Sequence, residues 1–285
     1  KCDFIPGFKS LGYDLAFWVS DGSLPLSLAR KTFIHFQFPF HNTNGHSPLN
    51  YFKSRFYQFI VNSNFTKRFI DDEYLIDSHV VYPPINMTVQ KTQKENVILY
   101  VGRFSNLTQL KHHDLLIEEF KKLRLKNWKL VLAGGVGVGN DKDYLQRLQD
   151  LASNANIEFV INPNWDQLIK LYAQAKIFWS ASGFGINEQN EPLKVEHFGM
   201  TVVEAMAAGC VPIITNLGGH KEIIDHGKDG FLWDTTNQLL EYTTKLTDDK
   251  LRNKMCKLAQ EKSKMFSTQK FYEKIDTLVD LGANN

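Results

Sequence analysis

Two glutamates, Glu196 and Glu204, lie eight positions apart in the segment 196–209. Glu196 stands in a glycine-containing turn, and Glu204 lies about one turn into a short, almost wholly apolar predicted helix. A helix N-terminus has unpaired N–H groups and about half a positive charge, so it favours an anion. Carboxylates beside it can accept hydrogen bonds from ligand hydroxyls. These residue types together are typical of a site for a nucleotide sugar.

The same residues also fit simpler roles. Thr201 followed three positions later by Glu204 matches a capping box, in which the glutamate bonds back to the N–H of Thr201. Glu196 taken alone fits a solvated loop acid. Both alternatives stay open from these residues alone, and the pair gains weight only from the rest of the chain.

Composition bounds the class of protein. A length of 285 residues suits two domains of about 100–200 residues each. With 43% hydrophobic and 22% charged residues, the chain has the composition of a soluble globular protein, and its net charge of +2 argues against nucleic acid as a partner. Its three cysteines have no metal-type spacing, which predicts free thiols in a reducing, cytoplasmic compartment. The chain starts at Lys1, so we expect an N-terminally incomplete fragment.

Strand and helix signals alternate from Asn96 onward. Short apolar strands followed by amphipathic helices predict an α/β fold with a parallel sheet covered on both faces. Such sheets bind ligands beyond the carboxyl ends of their strands. Gly102, Gly134 and the loop 182–199 are all predicted to lie at that edge.

The first third of the chain has a weaker pattern. It predicts strands near residues 15–19, 32–36, 59–63 and 80–82, and a helix over 48–60. The polar stretch 90–95 is typical of a linker, and the last forty or so residues predict helices separated near Asp248 and Ser267. We therefore predict a partial N-terminal domain over 1–90, a second domain over 91–265, and a C-terminal helix over 266–285 that returns to the first domain.

Several motifs in this order resemble the retaining glycosyltransferases of the GT-B fold, family 4. The resemblance runs from about His35 to the C-terminus and is densest over 97–233. It implies two Rossmann-like parallel-sheet domains that face a cleft, the N-terminal one incomplete here. The motifs that carry it are Glu196 with Glu204, Gly102-Arg103 followed by Lys111, Gly218-Gly219, Val61-Asn62-Ser63 and Tyr82-Pro83-Pro84.

The resemblance assigns roles to individual residues. It implies that Arg103 and Lys111 contact the donor diphosphate, whose charge fixed cations stabilise as the sugar bond breaks. It implies that Glu196 bonds sugar hydroxyls and that Glu204 bonds the ribose hydroxyls. The catalytic set it implies is His35, Arg103, Lys111 and Glu196. The donor-binding set is Gly102, Arg103, Lys111, Glu196, Phe198, Gly199, Met200, Thr201, Val202 and Glu204.

Other assignments depend on position. His35 occupies a strand that resembles the one carrying the family's active-site histidine, although a lone histidine on an apolar strand also fits a core residue. Asn162 and Pro163 follow a predicted strand, where we expect the nucleotide base. The family usually has Lys-Gly where this chain has Lys111 followed by His112, and the loop 182–195 is longer than in many members. We consider this loop either a lid that sets specificity or a solvated insertion.

The implied reaction transfers a sugar from a GDP- or UDP-linked donor to a saccharide or lipid-linked acceptor with retention. No essential metal and no other cofactor is expected. Asp141 and Asp143 match an acid-x-acid metal signature, but their place at a helix start predicts capping instead. The alternatives are a nucleotide-sugar epimerase and a non-catalytic binding module on the same scaffold.

A membrane contact is a further alternative. Aromatic and basic residues are mixed in the predicted helix over 48–60, which fits a core-facing amphipathic helix and also a peripheral contact at the cytoplasmic membrane face. We favour the core-facing helix from the sequence.

Overall fold

A computed structural model describes residues 10–86, 92–105, 110–137 and 140–281. The chain divides into two compact units, Lys1–Pro83 with Gln269–Asn285, and Pro84–Thr268. The predicted domain boundary at residues 90 and 91 falls in a stretch outside the described residues. In the described part of the chain each unit contains one parallel sheet, which confirms the predicted α/β class.

Unit 1 is built on a four-stranded sheet of order β1-β2-β3-β4 in its described part. Phe36 and Tyr74 belong to the buried cluster on one face, and Phe33 and Ile60 face Leu278 on the other. Its elements are β1 Leu15–Ser20, β2 Lys31–Phe36, α1 Pro48–Ser54, β3 Gln58–Val61, α2 Asn64–Tyr74, β4 His79–Val80 and α10 Thr268–Leu281.

The predicted helix over 48–60 is wrong in its extent. It stops at Ser54, because Phe59 belongs to β3 and pairs with Ile34 of β2. Phe59 is buried in the core, whereas Phe52 and Phe56 are 63% and 66% exposed. The aromatic spacing that suggests one helical face therefore covers a short helix, a turn and a strand.

Unit 2, as far as its residues are described, is built on a six-stranded sheet of order β10-β9-β8-β5-β6-β7. Its central strands are continuous apolar runs that are buried on both faces, as expected when helices cover a parallel sheet. Its strands are β5 Glu95–Val101, β6 Lys129–Gly134, β7 Ile157–Ile161, β8 Ala175–Ser180, β9 Val211–Thr215 and β10 Phe231–Trp233.

The helices of unit 2 follow these strands in alternation. In the described residues they are α3 His113–Leu123, α4 Asn140–Leu151, α5 Trp165–Gln174, α6 Met200–Ala207, α7 His220–Ile223, α8 Thr236–Lys245 and α9 Asp249–Ser263. The breaks between α8, α9 and α10 agree with the predicted separations near Asp248 and Ser267. The carboxyl ends of β5, β8 and β9 lead into the segments that form the candidate site.

Candidate functional site

An ion pair joins two of the predicted site residues. Lys111, just before α3, places its Nζ 2.8 Å from Oε2 of Glu196. The same Nζ lies 3.4 Å from Oγ of Ser182, which follows β8. Both charged side chains are largely buried, with 12% and 20% of their surface exposed. The fold therefore brings a cation from one strand end to an acid from the loop that precedes α6.

This environment keeps Glu196 ionised. Burial works to raise the pKa of its carboxyl, but the positive charge of Lys111 outweighs burial and lowers the pKa to about 2. His220 is itself buried, and burial lowers its pKa to about 4. At neutral pH the pair is thus a lysine cation bound to a carboxylate anion, beside a neutral imidazole.

The helix α6 begins at a glycine without a side-chain cap. Gly199 is its N-cap residue and has φ +116°, which glycine adopts far more easily than other residues. A Cβ there would also lie 3.1 Å from His220 Cδ2. Helix geometry leaves the N–H groups of Met200 and Thr201 without intrahelical partners, whereas the Val202 N–H donates to the Gly199 carbonyl at 3.0 Å. They form a place where an anionic ligand group can be held by the backbone.

The capping-box interpretation of Glu204 does not match the structure. Thr201 is the second residue of α6 and not its cap. Glu204 lies in the second turn, where its Oε2 accepts a hydrogen bond of 2.7 Å from the hydroxyl of Tyr172 in α5. Burial raises the pKa of the Glu204 carboxyl, and the hydrogen bond from Tyr172 opposes this shift.

The turn before α7 packs directly on the Glu196 backbone. The N–H of Gly219 donates to the Glu196 carbonyl at 2.8 Å, and a Cβ on Gly218 would lie 2.1 Å from the same oxygen. Glu188, from the loop 182–195, accepts from the Gly218 N–H at 2.7 Å and from Lys221 Nζ at 2.6 Å. This loop is therefore tied to the site by a charged side chain.

Other predicted donor-binding residues also belong to unit 2. Gly102 and Arg103 follow β5 directly, and the Gly102 N–H donates to the Ala133 carbonyl at 2.9 Å. The Arg103 side chain is exposed. Within and just before α6, Phe198 and Val202 are buried, and Met200 is 47% exposed.

Lys111 is followed by His112 in the backbone conformation of a left-handed residue, with φ +51°. Glycine takes this conformation without a steric penalty, so the usual Lys-Gly pair and the Lys-His pair of this chain can form the same turn. The neighbouring His113 is buried at the start of α3, where its ring stacks on Phe104 at 4.7 Å. Burial lowers the pKa of His113 to about 3, so this second histidine is neutral.

Asn162 and Pro163 lie at the end of the edge strand β7. The Asn162 side-chain oxygen accepts from the Val136 N–H at 3.0 Å, and the Asn162 backbone N–H donates to the Gly134 carbonyl at 2.9 Å. Asn162 thus joins the ends of β6 and β7 through its backbone and its side chain. Their predicted place near a base stays a prediction.

His35 belongs to unit 1 and the other predicted residues to unit 2. It lies in β2, paired in register with Val19 and Ile60, with its ring 5.8 Å from that of Phe17. It is half-buried, and burial lowers the pKa of its imidazole. The side chain is therefore neutral at pH 7 and could accept or donate a hydrogen bond.

Asp141 has a structural contact at the start of α4. Its Oδ2 accepts from the Gly137 N–H at 3.2 Å, as its expected position at a helix start suggests. Within the ranges that the structure describes, no group of three His, Cys, Asp or Glu side chains is arranged to hold a metal ion.

The sequence analysis assigns no role to three residues of the site, although His220 follows the Gly218-Gly219 motif and Glu188 lies in the loop 182–195. Tyr172, Glu188 and His220 contact the site from distant parts of the chain. The helical spacing of α5 does indicate that Tyr172 faces the core, but it does not indicate a hydrogen bond to Glu204.

Comparison with known proteins identifies a family and a fold. Residues 85–263 match the family described as glycosyl transferases group 1. The Dictyostelium discoideum GDP-Man:Man(3)GlcNAc(2)-PP-Dol alpha-1,2-mannosyltransferase is 32% identical over 236 residues, 74% of this chain and 45% of that protein. Its human counterpart is 30% identical over 240 residues, 74% of this chain and 46% of that protein. The chain thus spans about half the length of these relatives.

Solved structures share the fold. A glycosyltransferase from Rickettsia africae superposes with a TM-score of 0.76 at 20% identity, over 95% of this chain and 77% of that one. Anabaena HepE, solved in complex with UDP and glucose, has a TM-score of 0.71 at 18% identity, over 88% and 71% of the two chains. These neighbours confirm the predicted GT-B fold.

Proposed function

Because the chain belongs to the group 1 glycosyl transferases, we propose that it carries the donor site of a retaining, family 4 glycosyltransferase. The proposed reaction moves a sugar from a nucleotide diphosphate sugar to a saccharide or lipid-linked acceptor. The observation that carries the proposal is the Lys111–Glu196 ion pair in a chain whose uncapped α6 bears Glu204. This arrangement offers positive charge and backbone N–H groups to phosphate, and carboxylates to hydroxyls.

Each part of the donor has a partner in this proposal. Arg103, Lys111 and the first N–H groups of α6 hold the diphosphate. Glu196 accepts hydrogen bonds from the sugar, and Glu204 accepts them from the ribose. Negative charge grows on the leaving diphosphate as the sugar bond breaks, so cations fixed beforehand lower the barrier without reorganisation.

We propose GDP-mannose as the donor and a lipid-linked saccharide as the acceptor. The support is the activity for which the mannosyltransferase relatives are named. A UDP-sugar is the competing donor, because HepE is bound to UDP and glucose. We propose a front-face reaction in which the leaving phosphate takes the acceptor proton, with His35 in the catalytic set and no essential metal. The comparisons do not favour the epimerase or binding-module alternatives.

A thermal-shift screen of GDP-mannose, UDP-glucose, GDP and UDP tests the donor site. A ligand at 100 times its Kd stabilises the folded chain by about 2.7 kcal/mol. We expect the shift with GDP-mannose, and its loss in Arg103→Ala and Glu204→Ala while the unliganded melting temperature stays close to the original.

Lys129→Ala is the matched control, because Lys129 pairs with Glu158 on β7 away from these residues. It should keep the full shift. If no nucleotide or nucleotide sugar raised the melting temperature of the unmodified chain, the proposed function would be contradicted. If only UDP-glucose raised it, the donor would be a UDP-sugar and not GDP-mannose.

We further propose that α1 and the turn after it, residues 49–56, make a peripheral contact with the cytoplasmic face of a membrane. Phe52 and Phe56 form an exposed edge-to-face pair 5.1 Å apart, and Leu49 is 63% exposed beside them. Arg55 lies over the ring of Tyr51. Aromatic and basic residues together suit a lipid surface. Among the described helices, none has both the length and the apolar character needed to cross a bilayer.

Co-sedimentation with anionic and neutral vesicles tests this contact. Phe52→Ser/Phe56→Ser should release the protein from anionic vesicles, and Tyr272→Ser, which changes an exposed aromatic on α10, should not. Equal sedimentation of all three proteins would contradict the contact.

A further inference from the structure

Tyr172 touches the candidate site through one carboxylate oxygen. Its ring is fully buried against Phe178, and its hydroxyl donates to Oε2 of Glu204 at 2.7 Å. Among the described residues no group is hydrogen-bonded to the other oxygen, Oε1. The tyrosine therefore fixes one half of the carboxylate and leaves the second half available to a ligand.

The backbone of Tyr172 is itself held in place. Lys94, just before β5, donates from Nζ to the carbonyls of Tyr172 at 3.0 Å, Ala175 at 2.7 Å and Ala208 at 2.8 Å. These carbonyls lie at the C-terminal ends of α5 and α6, where a cation is favourable. Cys210 Sγ adds a contact of 3.2 Å to the Tyr172 carbonyl. One ammonium group thus joins the two helices that carry the tyrosine and the glutamate.

A hydrogen bond to the carboxylate stabilises its charged form. Tyr172 acts against burial in this way, since burial alone favours a protonated Glu204. Burial also raises the pKa of the Tyr172 phenol well above its usual value, so the phenol stays a donor. A protonated Glu204 would present an O–H donor and a weaker acceptor to a ligand diol, whereas the carboxylate can accept from it.

We propose that Tyr172 is a positioning residue that orients Glu204 and keeps it ionised, so that Oε1 accepts hydrogen bonds from the ribose hydroxyls of the donor nucleotide. This inference rests on the proposed function. It assigns recognition of the ribose to a pair of residues on two helices. It also predicts that binding is sensitive to pH and to the presence of the ribose hydroxyls.

The test compares GDP with 2′,3′-dideoxy-GDP on Tyr172→Phe. Calorimetric Kd values are measured from pH 5 to pH 9. Loss of a hydrogen bond to a charged group predicts that GDP binds roughly tenfold more weakly to the variant, while dideoxy-GDP binds with nearly unchanged Kd. The pH midpoint for GDP binding should rise in the variant, because Glu204 is harder to ionise without the phenol.

Tyr144→Phe is the matched control. It removes the hydroxyl of another buried tyrosine, which contacts Nδ1 of His113 and not Glu204. It should leave both the Kd ratio and the pH midpoint as in the unmodified chain. A merely structural role for Tyr172 would weaken both ligands equally and leave the midpoint in place, and that result would overturn the inference.

Glu204→Gln separates failure of this inference from failure of the proposed function. If this variant loses the preference for GDP over dideoxy-GDP and Tyr172→Phe keeps it, the ribose site stands and the positioning role is wrong. If the unmodified chain binds neither nucleotide nor any nucleotide sugar in the screen, both proposals are overturned.

Discussion

The two glutamates of the site have opposite electrostatic surroundings. Glu196 faces a lysine cation at 2.8 Å, and its pKa is lowered to about 2. Glu204 faces the neutral phenol of Tyr172 at 2.7 Å, and burial raises its pKa. Both are half or mostly buried carboxylates near the same helix. The partner across the hydrogen bond therefore decides whether the effect of burial on the pKa of the acid is overcome, as it is at Glu196, or only reduced, as it is at Glu204.

The difference in electrostatic surroundings suits the two glutamates to different roles in ligand binding. A permanently charged acid paired with a lysine can hold a ligand group in one orientation over a wide pH range. An acid whose pKa burial raises gains from a donating ligand hydroxyl, because such a hydrogen bond favours the ionised form. Substitutions at the two glutamates and their neighbours test whether the pKa values of Glu196 and Glu204 differ in this way.

The largest effect is expected for Lys111→Met. It leaves the Glu196 carboxylate in a largely buried place without its cation, and such a change costs about 3–5 kcal/mol of unfolding free energy. Urea denaturation at pH 7 measures it. The double variant Lys111→Met/Glu196→Gln should recover most of the loss, and strictly additive single effects would argue that the ion pair has little influence on stability.

Acid titration of stability should show the next largest effect. The folded pKa of Glu196 lies below its usual 4.5, so its contribution is fully present above pH 4.5 and is lost as pH falls toward 2. The difference amounts to about 3 kcal/mol. Urea midpoints measured between pH 6 and pH 2 should fall less steeply in Glu196→Gln than in the unmodified chain, and parallel curves would contradict the lowered pKa.

The sign reverses for Glu204. Its folded pKa is raised, so its contribution to stability is present below its usual pKa and is lost as pH rises through the folded value. Glu204→Gln removes this loss. We expect the unliganded variant to gain less than about 1 kcal/mol at pH 7, a rise in Tm of at most about 2–4 °C. A lower Tm of the variant in calorimetry would contradict a Glu204 carboxylate that burial destabilises in its ionised form.

The smallest expected effect is that of His112→Gly, which changes the backbone beside Lys111 and neither acid. The left-handed conformation costs a non-glycine residue roughly 1–2 kcal/mol, and the greater freedom of glycine in the unfolded chain offsets about 0.5–1 kcal/mol of this. A gain of about 0.5 kcal/mol in urea denaturation is expected. A clear loss would mean that contacts of the imidazole, such as that with Phe184, outweigh the strain.

The sequence predicts the position of a site residue only where that position follows from a single strand or helix. Apolar strands followed by glycine place Gly102 and the loop before α6 at the carboxyl edge of the sheet, and Lys111 meets Glu196 there. The start of α6 is less predictable. Thr201 and Glu204 match the sequence pattern of a capping box, but the residue in the N-cap position is Gly199. The positive φ of Gly199, which sets where the helix begins, cannot be deduced from the types of these residues alone.

The site contacts that the sequence does not predict are made between residues far apart in the chain. Tyr172 is 32 positions from Glu204, and Glu188 is 30 positions from Gly218, so no local spacing links them. The extent of α1 is missed for another reason. Aromatic residues repeat across helix, turn and strand with one spacing, and pairing of β3 with β2 overrides the helical pattern.

The thiol of Cys210 gives this molecule an internal reporter. It is completely buried, contacts the carbonyls of Tyr172 and Ala175 at 3.2 and 3.3 Å, and burial raises its pKa. Alkylating reagents need an accessible thiolate, so the thiol can react only when the joined ends of α5 and α6 separate. The alkylation rate at this position, followed by mass spectrometry, therefore measures how often that junction opens in the native protein.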